Sequence, residues 1–238
     1  MTKCLVRVAL CVCALVLPTL CAGQDERVVL DKSRVPTTAN DIQKFVPQGW
    51  KLEEQLRGDL NADGASDYVL KLVEDKPDKD AGGDPTERYR ALVIVLQGSA
   101  NQLTRAAVAG KLLQCTRCGG AFYGVVETPT SVEIKNGVIE VNQDHGSRDL
   151  TNTYYKFRYD AATNQFILIG FDYADADRLT GNVMSESTNY LTGVRLTTRG
   201  KGNRDVKTRT VVPKKKISIE DVDYEKFEEE ATKRLGLD

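Results

Sequence analysis

Short runs of apolar residues with strand-like spacing dominate the chain after residue 49, and they predict β-strands. Three such runs come first, at residues 50–56, 68–73 and 89–96. The third is apolar almost throughout, which is typical of a strand buried on both faces. Residues 103–113 fit either a helix or a strand. Before these runs, Asn40 is expected to cap a short helix that Pro47 ends.

The second half of the chain predicts antiparallel hairpins. Residues 131–135 and 138–141 flank Asn136-Gly137, a dipeptide that tolerates the positive φ angles of a type I′ turn. Two further pairs of strand-like runs follow, at residues 154–159 with 166–173 and at residues 183–191 with 194–198. The predicted fold class is therefore mainly β, a meander of antiparallel hairpins, with a C-terminal α-helix.

Two polar segments interrupt or follow these strands. Residues 75–88 are charged and contain glycine and proline, which indicates a surface loop. Residues 199–217 are basic and predict a solvated linker after a β domain at 23–198. Contact of this basic segment with anionic lipid, polysaccharide or nucleic acid is the alternative.

Residues 218–236 predict the helix. Ser218 is placed to cap it, acidic residues crowd its first turn, and Gly236 follows as a C-cap. An apolar stripe recurs at helical spacing and is expected to dock the helix on the β domain; it consists of Tyr224, Phe227, Ala231 and Leu235.

The N-terminus has the pattern of a signal peptide over residues 1–22. Lys3 and Arg7 precede or interrupt an apolar run without acidic residues, and small residues follow at Ala22 and Gly23. This predicts a periplasmic or secreted protein. Lipid anchoring through Cys21 is the less favoured alternative, because Leu20 before it is not small. No later apolar segment is long enough to span a bilayer, so no transmembrane segment is expected after cleavage.

Charge and cysteine content narrow the possible chemistry. Cleavage removes two of the 33 basic residues and none of the 34 acidic ones, which leaves a net charge near −3 and argues against specific nucleic-acid binding. It also leaves only Cys115 and Cys118, for which a disulfide is expected in an oxidising compartment. A redox-active pair is less favoured because Gly119-Gly120 indicates a turn, and zinc lacks enough further ligands.

The segment 59–67 carries oxygen side chains at alternate positions around a glycine. Asp59, Asn61, Asp63 and Asp67 occupy positions 1, 3, 5 and 9, and the carbonyl of Ala65 occupies position 7. Such a donor set suits Ca²⁺, which takes several oxygen ligands from one curled loop. The residue at position 12 is Leu70, where an EF-hand needs glutamate. A plain hairpin turn without metal is the other interpretation, since Asn, Asp and Gly favour turns.

Residues 58–69, Gly-Asp-Leu-Asn-Ala-Asp-Gly-Ala-Ser-Asp-Tyr-Val, resemble the calcium loop of FG-GAP and VCBS repeats, the blade units of integrin-like propellers. The resemblance covers about thirty residues and implies a calcium-binding hairpin within a β fold. Propellers repeat the motif blade after blade, whereas this chain has one copy, so a single-motif β domain is expected.

The wider chain, over most of residues 47–193, resembles a group of secreted bacterial β proteins that have no assigned activity. The shared phrases here are Cys-Gly-Gly-Ala-Phe-Tyr-Gly at 118–124, Ile-Lys-Asn-Gly at 134–137, Lys-Phe-Arg-Tyr at 156–159 and Phe-Ile-Leu-Ile-Gly at 166–170. This resemblance implies a β fold and an exported location.

No complete catalytic site is visible in the sequence, so the chain is expected to be a non-catalytic binding or envelope-associated module with a structural Ca²⁺. An envelope component or a polysaccharide is a candidate partner. The alternative is a secreted or periplasmic hydrolase using His145 with carboxylates from distant strands. Ser147 stands near His145, but triads converge in space and adjacency in sequence is no support. The segment 142–147 instead predicts a polar turn.

Overall fold

Two antiparallel β-sheets and a C-terminal helix make up the described part of the chain. The computed structural model describes residues 27–98, 102–124, 126–201 and 204–237. The predicted signal peptide at 1–22, including Cys21, lies outside these residues. Within them, no helix is both long enough and apolar enough to cross a membrane.

The first sheet has five strands in the order β1-β5-β4-β3-β2. Their bounds are Thr38–Ala39 for β1, Trp50–Gly58 for β2, Asp67–Glu74 for β3, Arg90–Gln97 for β4 and Leu103–Ala109 for β5. The ambiguous segment 103–113 is thus a strand over most of its length. A 3₁₀ helix at Ile42–Phe45 precedes β2, and its cap is Asp41 rather than the predicted Asn40.

The second sheet has seven strands that follow one another in chain order, so the predicted meander is confirmed. A one-turn helix α1, Gly120–Tyr123, leads into it. The bounds are Thr130–Lys135 for β6, Val138–Gly146 for β7, Asp149–Asp160 for β8, Gln165–Asp177 for β9, Val183–Asn189 for β10, Val194–Lys201 for β11 and Arg204–Val211 for β12. In the turn between β6 and β7, Asn136 and Gly137 have φ angles of 52° and 75°, as expected for type I′.

The main core lies between the two sheets. Val69, Leu92 and Ile94 of the first sheet share one buried cluster with Tyr155 and Phe171 of the second. The other face of the first sheet is covered by the N-terminal segment through side chains that include Leu30, Val35 and Phe45. Because both faces of its central strands are buried, β4 is apolar throughout its middle.

The C-terminal helix α2, Tyr224–Leu235, closes the rest of the inner face of the second sheet. Tyr224, Ala231 and Leu235 are buried, and the ring of Phe227 lies 5.9 Å from that of Tyr155. The predicted apolar stripe therefore docks the helix as expected. Gly236 ends it in the left-handed conformation, which a residue without Cβ adopts at little cost.

Three predictions about the C-terminal half need correction. The segment 199–217 is not a linker, because β11 continues to Lys201 and β12 pairs with it in full register. The helix predicted at 218–236 is split: Ser218 caps a 3₁₀ turn at Ile219–Asp221, and α2 begins only at Tyr224. The polar segment 142–147 is not a turn, since β7 runs to Gly146 and pairs with β8 along that length.

The structure adds a detail to each of two predicted connections, the turn at Gly119-Gly120 and the loop at 75–88. The turn expected at Gly119-Gly120 leads directly into α1. The loop at 75–88 contains no strand apart from an isolated bridge between Lys79 and Pro85, yet its last residue, Arg88, is buried.

Replacement of Phe171 tests the core between the sheet and α2. Its ring is fully buried and lies 4.9 Å from Tyr155 and 5.3 Å from Phe227. We expect Phe171→Ala to lower the free energy of unfolding by about 3–5 kcal/mol, because it leaves a cavity between three rings. Urea denaturation measures the change. The control is Leu179→Ala, at a side chain that is 79% exposed, for which a change within about 0.5 kcal/mol is expected.

Candidate functional site

The acidic loop predicted at 59–67 joins β2 to β3, so it sits at the end of a hairpin that is paired without interruption from Glu54 to Gly58. The carboxylate of Asp59 folds back over the loop and accepts hydrogen bonds from the amides of Ala62, at 2.7 Å, and Gly64, at 3.0 Å. Ala62 and Gly64 both have positive φ angles, 64° and 85°. This backbone curls the loop around its first aspartate.

Asn61 and Asp63 form a second layer of contacts within the loop. The amide of Asp63 donates to Oδ1 of Asn61 at 3.1 Å, and Nδ2 of Asn61 donates to Oδ2 of Asp63 at 2.9 Å. Oδ1 of Asp63 accepts from the amide of Ala65 at 2.7 Å. That backbone hydrogen bond, with the one from Asn61, lowers the pKa of Asp63, which stays ionised.

Asp67 is the buried member of the set. Its Oδ2 accepts from the amide of Leu60 and its Oδ1 from the amide of Gln97, each at 2.9 Å, so one carboxylate ties the loop to β4. Burial raises the pKa of Asp67, and the charges of Asp63 and Asp59 add to that rise against the two amide hydrogen bonds. The charges of Asp59 and Asp63 thus oppose the ionisation of Asp67.

The chemistry of this donor set fits Ca²⁺. Three carboxylates, the amide oxygen of Asn61 and the half-buried backbone of Ala65 supply hard oxygen donors within nine residues. Each carboxylate oxygen that accepts one amide hydrogen keeps a further lone pair. In this structure, however, the carboxylates of Asp59 and Asp63 accept hydrogen bonds from the backbone amides of the loop itself. In the described ranges, only Glu87, Cys115 and Cys118 bring three candidate ligand atoms within 4.8 Å of one another.

That second cluster is not a metal site in this form. Cys115 and Cys118 form the predicted disulfide, with Cα atoms 5.1 Å apart, so neither sulfur is a thiolate. The amide of Arg117 donates to Sγ of Cys115, and the bridge closes a tight turn before α1. The disulfide therefore shapes the chain between the two sheets.

His145 lies on β7 and points toward α2. Its Nε2 is 2.9 Å from Oε2 of Glu228, and the other carboxylate oxygen of Glu228 is buried without a hydrogen-bond partner among the described residues. Ser147 is not brought to His145; its amide donates to the carbonyl of Asp149. The pairing of His145 with Glu228 spans 83 positions, and sequence reasoning missed it.

A second charged contact fixes the other end of α2. The carboxylate of Glu186 on β10 is fully buried and receives two hydrogen bonds from Arg234, through Nε at 2.9 Å and Nη2 at 2.5 Å. The guanidinium of Arg199 donates to the carbonyl of Arg234 at 2.8 Å. The basic residues at the C-terminal end of α2 were expected from their favourable interaction with the helix dipole. Arg234 at this end also neutralises the buried carboxylate of Glu186.

Comparison with known proteins adds no assignment, because no family model and no curated protein matches this chain.

The contact between His145 and Glu228 predicts a pH-dependent stability. Burial of the imidazole opposes its protonation, but the hydrogen bond and charge of Glu228, with the charges of Asp144 and Asp175, outweigh burial and raise the pKa of His145. Protonated His145 therefore stabilises the folded state below the ordinary histidine pKa of about 6.5, and that contribution disappears as the pH rises through the raised pKa.

We expect the melting temperature of the wild type to exceed that of His145→Gln most clearly near pH 6, and the difference to shrink above that pH. Melting curves for both proteins, recorded from about pH 5.5 to pH 8, measure it. A difference that grows with pH would contradict the assigned contact.

Asp67 gives a prediction that is independent of metal. In Asp67→Asn one carboxylate oxygen becomes a donor that faces a backbone N–H, so we expect the free energy of unfolding in EGTA to fall by about 1–3 kcal/mol. Asp84→Asn, at an exposed residue of the 75–88 loop, is the control and should change little. Equal stability of the two variants would show that Asp67 does not fasten the loop.

Proposed function

We propose that this chain is an exported, non-catalytic β protein that serves as a binding or envelope-associated module, and that its 59–67 loop holds a structural Ca²⁺. The observation that carries the proposal is the proximity of Asp59, Asp63 and Asp67 on one tight loop, where the first two raise the pKa of the third. Like charges held this close destabilise the loop, and a bound cation offsets their repulsion.

The position of the loop supports a structural role rather than a sensor role. It joins two strands whose register is continuous from Glu54 up to the pair Gly58 and Asp67, and Asp67 is fastened to β4. Leu70, at the position where an EF-hand has its bidentate glutamate, is buried in the core. No helix pair flanks the loop, so the loop residues hold a hairpin end in place.

The surroundings of His145 favour a binding module over the hydrolase alternative. A general base must reach the proton that it removes, but Nε2 of His145 is bound to Glu228 under α2. The half-buried pair is explained by the docking of the helix. Export is supported by the residues 1–22 pattern and by the disulfide between Cys115 and Cys118, which persists in oxidising compartments.

Calcium binding is tested by thermal melting in 10 mM Ca²⁺ and in EGTA. Extracellular modules bind Ca²⁺ with Kd values of about 10⁻⁴–10⁻³ M, so saturation at this concentration should stabilise the fold by about 1–3 kcal/mol. For a chain of this size that raises the melting temperature by roughly 3–10 °C. We expect the shift to vanish in Asp63→Ala, whose side chain is exposed and whose loss spares the core.

The matched control is Asp84→Ala, which removes an exposed carboxylate from the 75–88 loop and should keep the full shift. Mg²⁺ at the same concentration should give a smaller shift, because it demands a near-octahedral site and dehydrates reluctantly. An identical melting temperature in Ca²⁺ and in EGTA for the wild type would sink the proposed calcium site.

A further inference from the structure

The outer face of the second sheet, the face turned away from the core, carries a groove across β8 to β12. It encloses about 350 Å³ and is lined on opposite sides by Asn152 and Asp172 and by Leu196 and Lys207. We call it the outer groove. No role for it follows from the calcium loop, which lies at the end of the other sheet.

The strand register shows how the groove is built. Directly paired residues point to the same face of an antiparallel sheet, so two adjacent rows of side chains can be followed from β8 to β12. The first row is Asn152, Ala174, Ser185, Thr198 and Lys207. The second row is Tyr154, Asp172, Ser187, Leu196 and Arg209.

Small side chains in the middle of both rows make the floor. Ala174, Ser185 and Ser187 stand between the larger residues of β8 and those of β11 and β12. Five strands spaced about 4.8 Å apart give the two rows a length of about 19 Å. A trough of this shape accepts a linear chain lying across the strands.

One wall of the outer groove is positively charged. Lys207 and Arg209 are exposed, and no carboxylate oxygen of the described residues lies within ion-pair distance of either side chain. Exposed Lys214 and Lys215 continue the positive charge just after β12. The predicted basic linker is thus a basic strand that borders a groove, and it is complementary to an acidic ligand.

The remainder of the lining is suited to hydroxyl groups. The hydroxyls of Ser185 and Thr198 make no hydrogen bond within the described chain. Opposite them, the carboxylate of Asp172 accepts a hydrogen bond from the hydroxyl of Ser187 at 2.5 Å, and the side-chain amide of Asn152 donates one to Asn142 at 2.6 Å. These contacts hold the side-chain oxygen atoms of Asp172 and Asn152 at the groove. Convergent polar groups of this kind orient a ligand that offers many donors and acceptors.

We propose that the outer groove binds an acidic polysaccharide, a linear polymer that presents hydroxyl groups and carboxylates of the uronic-acid type. This deepens the proposed function and rests on its claim that the chain is a binding module. The hydroxyls meet the serine, threonine and asparagine groups of the floor and of the β8 wall, and the carboxylates meet Lys207 and Arg209.

The lining argues against the other polyanions that a basic strand could bind. Its floor of Ala174, Ser185 and Ser187 offers no aromatic ring on which a nucleic-acid base could stack. A flat membrane surface touches the rims but does not reach a floor of alanine and serine. A sugar chain can place hydroxyl groups beside Asp172 and carboxylates beside the basic wall.

Affinity electrophoresis of the full chain in gels containing polygalacturonate tests the proposal. We expect retardation in polygalacturonate and none in its fully methyl-esterified form, which keeps the chain but loses the charge. Ser185→Trp should abolish retardation by filling the floor without changing charge, and Ser187→Tyr should do the same. Lys207→Glu should weaken binding roughly tenfold or more, which corresponds to the loss of one strong charged contact.

Lys79→Glu is the matched control, because it makes the same charge change at an exposed site on the 75–88 loop and should bind as the wild type does. The proposal is overturned by absent retardation, by equal retardation in the esterified polymer, or by binding that both floor variants leave intact. Retention on phosphatidylglycerol vesicles with no polygalacturonate binding would assign the basic strand to a lipid surface instead.

The same preparations are melted with Ca²⁺ and EGTA, so that the two proposals fail separately. A calcium shift without polysaccharide binding overturns the outer groove and leaves the calcium site. Polysaccharide binding that the floor variants abolish, without a calcium shift, supports the groove and overturns the calcium site.

Discussion

The second sheet is wider than the first, and the part of its inner face that the first sheet leaves uncovered carries Glu186 and His145, both of which α2 contacts. Glu186 is fully buried there, and a buried carboxylate without a partner costs far more than a paired one. Arg234 supplies that partner, while Glu228 meets His145 at the other end of the contact. The ring of Phe227 packs against those of Tyr155 and Phe171 and adds an aromatic contact to these two. The helix is therefore part of the β domain rather than an appendage.

The two sheets therefore differ in which faces are covered and in which candidate site they carry. The first sheet is covered on both faces and carries the acidic loop at the end of the β2–β3 hairpin. The second sheet uses its inner face for the core and leaves its outer face open, with the groove across five strands. Asp67 belongs to the first region because its carboxylate connects the loop to β4.

Much of the strand order could be predicted because alternation of apolar and polar residues directly reflects burial of one face. The turn at Asn136-Gly137 and the stripe on α2 were predictable for the same local reasons. Strand β12 was not, since all of its residues are exposed and its formation depends on pairing with β11. The end of β7 was missed likewise: polar residues 142–146 are held in the strand by β8.

The candidate sites divide in the same way. The spacing of oxygen side chains in the 59–67 loop is local and is visible in the sequence, whereas the inward turn of Asp67 toward Gln97 is not. The contact of His145 with Glu228 joins residues that no short motif connects. The rows of the outer groove depend on the register of five strands, which the sequence alone does not reveal. Ala174, Ser185 and Ser187 therefore form the floor of the groove without belonging to any sequence motif.

Strand β12 is the last strand of its sheet, so one side of its backbone faces outward. A free strand edge is a template on which a second copy of the chain can add, and unprotected edges of this kind lead to fibres. Arg204, Lys207 and Arg209 give β12 a positive charge that an identical strand would meet as repulsion. Pro213 follows shortly afterwards and has no amide hydrogen to offer. The same basic residues that border the groove thus oppose the addition of an identical strand at this edge of the sheet.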